Sequence, residues 1–117
     1  MPFKDWSEVY VPLVLRMGGK EYTIRPLNVP DGLLIMKHTK PDAKTEPMPD
    51  EKFCRIMLGP ALDEMKADGV SFSAMKRAAL TALAEFQAGR AVAEVLWETG
   101  GDPLMMDDAI KRQIQKA

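Results

Sequence analysis

The sequence predicts an α+β protein, predominantly helical, with an amino-terminal β-hairpin packed on a bundle of four to five short helices. Three observations predict it. Apolar residues alternate with polar ones on both sides of Gly18-Gly19, helical apolar spacing follows good capping residues at Asn28 and Ser71, and proline or glycine breaks separate the helical stretches. The length of 117 residues suits one globular domain. We place it at residues 1–101, with the hairpin at 11–26 and the helices within 28–98, followed by a C-terminal tail at 102–117.

The elements follow in chain order. An amphipathic stretch, Phe3 to Tyr10, leads into Val11, Leu13, Leu15 and Met17, which alternate with Pro12, Val14, Arg16 and Gly18 at the period of a half-buried strand. Gly18-Gly19 supplies the positive backbone angles of a tight turn, and Tyr22 and Ile24 resume the same face. Pro12 marks an edge position or the strand start. Asn28 stands where its side chain can accept from the amide of residue 31, with Pro30 early in the helix that follows. Leu33, Leu34, Ile35 and Met36 give that helix an apolar face, and it should stop before Lys40-Pro41. The three prolines of 41–50 predict a loop. Phe53, Ile56 and Met57 return to helical spacing until Gly59-Pro60, and a further turn or two over 61–67 ends at Gly69. Ser71 caps the most strongly patterned helix, Phe72 to Gln87, carried by Met75, Ala79, Leu83 and Phe86. Beyond Ala88-Gly89, Arg90 to Glu98 sets Val92, Val95 and Leu96 on one side. After Gly100-Gly101-Asp102-Pro103, the tail carries a helical stripe of Leu104, Met105, Ala109 and Ile110, too short to be stable in isolation.

Charge and cysteine content narrow the function classes. Sixteen Lys and Arg oppose 17 Asp and Glu, so no strong positive field draws in a nucleic acid backbone or an anionic membrane. No apolar run reaches the roughly 20 residues needed to cross a bilayer. Cys54 is the single cysteine, which fits a reducing compartment and a small buried hydrophobe. The start, with Lys4, Asp5 and Trp6, lacks the apolar core of an export signal.

A search for chemistry turns up no catalytic, cofactor or metal constellation. His38 is the only histidine and sits at a helix end, and no orienting third group accompanies a His38–Cys54 pairing. Asp63-Glu64 and Asp107-Asp108 read as solvated or capping pairs rather than a metal cage. Gly18-Gly19-Lys20 lacks the remainder of a phosphate loop. We therefore expect a non-enzyme without cofactor or metal.

Methionine is the outlying feature, with nine in the chain. Its thioether adapts to varied partners, and aromatic residues anchor interfaces. Met36, Met57, Met65 and Met75 read as core. Trp97, Leu104, Met105, Met106 and Ile110 are the candidate partner-binding residues.

Several sequence words carry a resemblance: Met1-Pro2-Phe3-Lys4-Asp5-Trp6, the hairpin Gly18 to Pro26, Asn28-Val29-Pro30-Asp31-Gly32-Leu33, Leu58-Gly59, Asp63 to Val70, the Ala-rich helix, Ala93-Glu94 and Trp97-Glu98. Over residues 1 to 99 the chain resembles the tail assembly chaperones of long-tailed actinobacterial phages. Phe86 to Arg90 and the segment after Gly101 depart from that pattern. The resemblance implies a cytoplasmic factor of the infected host that binds the tape measure protein, helps recruit tail tube protein, and is absent from the mature virion. It also implies association with a longer, frameshifted form, of which this chain resembles the short form, and self-association into a homo-oligomer is a further expectation. The alternative expectation is a structural tail completion or connector protein of the virion.

Overall fold

A computed structural model describes residues 2–39 and 48–100, and these fold as an α+β domain in which helix predominates. The order is α1 (Trp6–Val9), β1 (Leu13–Met17), β2 (Lys20–Ile24), α2 (Val29–Thr39), α3 (Asp50–Leu58), α4 (Pro60–Ala67), α5 (Phe72–Ala88) and α6 (Arg90–Thr99). The hairpin and helices α2 to α6 therefore lie where the pattern places them, with α6 running one residue past 98, whereas α1 is a sixth helix in the stretch read only as an amphipathic entry. The strands are trimmed inside 11–26 because Pro12 and Pro26, without amide donors, flank the ladder.

The antiparallel register pairs Leu13 with Ile24 and Leu15 with Tyr22. Strand side chains alternate faces, so these four share one side, and all four are buried. The intervening pairs, Val14 with Thr23 and Arg16 with Glu21, occupy the exposed side. Gly18 and Gly19 both hold positive φ, which a two-residue hairpin turn requires at both positions.

The buried face of the hairpin lies on α4 and α5, and α5 packs in turn on α3 and α6. Tyr22, Ile35, Met57, Leu58, Leu62 and Met65 are the large residues at the centre. Ala78, Ala79 and Ala82 on α5 and Ala93 on α6 are small enough for the two helices to approach closely. Gly89 alone joins them.

Polar contacts fix the corners. Asn28 Oδ1 accepts from the Asp31 amide at 2.9 Å, as its position before the helix predicts, and Ser71 Oγ accepts from the Ala74 amide at 3.2 Å. Asp68, just past α4, accepts from Tyr22 Oη at 2.7 Å and from Lys20 Nζ at 2.5 Å, latching the hairpin to α4. The Lys20 ammonium, foremost, and the Tyr22 hydroxyl hold the Asp68 carboxyl below its ordinary range. Arg55 and Asp63 pair at 2.9 Å across the α3–α4 bend.

Two expectations need revision in detail. Leu33, Leu34, Ile35 and Met36 do not all face the core, because four consecutive helical residues spread over about 300°. Ile35 is buried and Leu34 packs at its edge, whereas Leu33 and Met36 point outward. Met57 and Met65 fill the core as expected, Met75 lies at its margin, and Met36 is 49% exposed. His38 sits half-buried near the carboxyl end of α2, as the sequence places it.

Candidate functional site

The amino-terminal turn is built locally. Asp5 accepts from the Ser7 amide at 2.9 Å while Glu8 accepts from the Asp5 amide at 3.1 Å, a reciprocal capping box that starts α1. Trp6 and Tyr10 then stack, with ring centroids 5.1 Å apart. No residue of α1 is buried, so its aromatic surface is available.

Arg90 ties this turn to the rest of the domain. Its guanidinium donates to the Glu85 carboxylate and to the Val11 carbonyl, joining the strand approach to the α5–α6 corner. Between them lies a groove of about 590 Å³. Core residues Leu13, Ile24, Met57 and Ala82 reach its base, and Trp6, Val9, Val11 and Phe86, all substantially exposed, form its apolar rim. Tyr10 lies against Glu85 and Arg90; burial, foremost, and the Glu85 charge push its phenol upward, so it stays protonated and neutral at physiological pH.

A second apolar feature adjoins the groove through Phe86. The Phe86 ring lies 3.5 Å from where a β-carbon on Gly32 would sit, so α2 rests against it. On α2, Val29, Leu33 and Met36 are 75%, 61% and 49% exposed. Their spacing of four and then three residues sets them on one helix face. Exposed apolar clusters of this kind mark interaction surfaces.

Of the five partner-binding candidates, Trp97 alone lies among the described residues. It is half-buried against the core and borders a separate concavity of about 490 Å³ with Met17, Gly18, Ala74 and Arg77. Its carbonyl accepts from Arg77 at 3.4 Å. The structure thus places Trp97 outside the groove. Leu104, Met105, Met106 and Ile110 lie outside the described residues.

The groove residues escaped sequence reasoning for a definable reason. Asp5-Trp6-Ser7-Glu8 carries the spacing of a capping box, which could have located α1 and its aromatic pair. Val11 and Phe86 fit the periodic stripes of a strand and a helix, and periodicity alone cannot tell a groove rim from core.

A family model, the domain of unknown function DUF7426, matches residues 4–116. The chain belongs to that family. The match takes in every element of the DUF7426 domain described above and continues through the residues carrying Leu104 to Ile110. No curated protein and no solved structure matches the sequence.

Chemically, the groove can remove apolar surface from water while a few polar groups orient the occupant. Among the described residues no cluster of three or more His, Cys, Asp or Glu side chains is arranged to hold a metal ion. No helix among them is long and apolar enough to cross a membrane.

Proposed function

We propose that this DUF7426 domain is a non-enzymatic phage tail assembly chaperone that binds the tape measure protein and presents it to tail tube subunits in the cytoplasm of the infected host. The observation that carries this reading is the apolar groove with the outward face of α2 beside it. A tape measure chain presents long apolar helical faces, and an amphipathic helix recognises such a groove through residues spaced three and four apart. A stable contact buries roughly 1,200–2,000 Å² in total, which calls for the α2 face as well as the groove. The sequence resemblance over residues 1–99 supports the same assignment. On this reading the chain self-associates, associates with its longer frameshifted form, and leaves before the virion is complete.

Co-expression with the adjacent tape measure gene tests the proposal. The two proteins should co-purify, and Trp6→Ala should weaken the complex roughly 30-fold, the scale of an aromatic anchor lost from an interface. Mass spectrometry of purified particles should find the chain missing. Failure to co-purify, or recovery in fixed copy number from particles, would overturn the reading.

A further inference from the structure

The groove holds one charged group whose bonding capacity is little used. Of the charged side chains lining it, Glu85 and Arg90 neutralise one another closely, whereas Arg25 has among the described residues only a long ion pair, with Asp31. Its guanidinium reaches the Pro26 carbonyl at 3.5 Å, the outer limit of a hydrogen bond, and the Asp31 carboxylate stands 3.9 Å away, beyond hydrogen-bond range. A guanidinium carries five donors in a rigid fork matched to a carboxylate.

The backbone makes room for this arrangement. At the α3–α4 bend, Gly59 has φ 56° and ψ −135°, and a β-carbon there would fall inside the envelope of Arg25 Nε and 2.8 Å from Cζ. The missing side chain lets the guanidinium lie over the bend, on a groove lining that also includes Leu27 and Met57. The side chain is 39% exposed, so the fork remains open to an incoming group.

We propose that Arg25 is the anion anchor of the groove, and that its occupant is an amphipathic helix carrying a carboxylate beside its apolar stripe. This inference rests on the reading of the groove as a client-binding site and adds the chemistry of the client. The apolar rim supplies affinity, and the Arg25 to carboxylate pair fixes direction and register, because the one loosely engaged charge of an otherwise apolar or internally paired groove can be satisfied in one alignment only.

The test uses the full chain and synthetic peptides covering the predicted amphipathic helices of the adjacent tape measure protein, with binding followed by Trp6 and Trp97 fluorescence or by calorimetry. The peptide that binds should contain Asp or Glu next to its apolar stripe, and its Asp→Asn or Glu→Gln version should bind roughly 10- to 100-fold more weakly, the range of a hydrogen-bonded charge. Arg25→Gln should cause the same loss, and the two changes together should cost little more than either alone. Arg25→Lys should recover only part of the affinity, since an ammonium keeps the charge without the fork. If a peptide binds through Trp6 and Phe86 but neither Arg25→Gln nor the peptide change alters its affinity, the anchor is refuted and the groove reading stands. Should no peptide bind the native chain, both fall together.

Discussion

Replacing Gly59 by alanine isolates a backbone demand that the tertiary structure alone exposes. Gly59 ends α3 and begins α4 with φ 56° and ψ −135°, a region open almost solely to glycine. Two costs arise. Forcing an L-residue into this conformation costs about 1–3 kcal/mol, only partly offset by the smaller entropy of the unfolded alanine chain. The new methyl group also displaces Arg25, but the displaced atoms are the far end of a flexible, part-exposed side chain whose ion pair with Asp31, the only one it makes among the described residues, is long. Losing such a contact is worth at most about 1 kcal/mol. Backbone strain should therefore dominate, and Gly59→Ala should lower the unfolding free energy by about 1–3 kcal/mol with an unchanged m-value in urea, followed by far-UV circular dichroism. The double variant Arg25→Ala, Gly59→Ala separates the terms, since it should keep most of the loss measured against Arg25→Ala. The reasoning is refuted if Gly59→Ala is neutral, or if removing the Arg25 side chain restores full stability.

Three further outcomes follow from the same packing. Gly32 lies inside α2 without a positive φ, and a β-carbon there would meet Phe86 at ordinary contact distance, so Gly32→Ala should stabilise the domain by about 1 kcal/mol in the same urea assay; a loss of stability would mean that α2 sits closer to α5. Leu62→Ala, at a fully buried site, should cost about 2–5 kcal/mol, whereas Leu33→Ala should change stability by less than about 0.5 kcal/mol because that side chain faces outward; equal costs would contradict the placement of α2. Asp68 has a carboxyl held below its unfolded value by Lys20 and Tyr22, so its contribution is present above about pH 4 and is lost as the pH falls through the lower folded value. Urea midpoints of Asp68→Asn and the native chain should accordingly differ at pH 7 and converge in acid; a gap that persists in acid would place the effect elsewhere.

The fold was largely legible because its signals are local. Asn28 and Ser71 cap helices wherever the chain goes, and Gly18-Gly19 sets a turn before any tertiary contact forms. The candidate site was not legible to the same degree. Trp97 was singled out as an aromatic anchor, yet it packs at the core margin away from the groove. Trp6, Val11 and Phe86 come together where Arg90 ties the strand approach to the α5–α6 corner, a contact between residues 79 positions apart in sequence. Leu33 and Met36 show the same limit: the apolar run announces a helix but not which members of the run meet the core.

By itself the sequence determined the class of the domain, the approximate ends of helices α2 to α6 and the facing of its two strands. These depend on backbone stereochemistry and on hydrogen bonds a few residues long. Tertiary structure alone decided which apolar residues remain outside, that they gather into a groove, and that one arginine lies within it over a glycine bend. Those outcomes depend on contacts between distant parts of the chain, where burial is shared out by shape and no short-range pattern records the result.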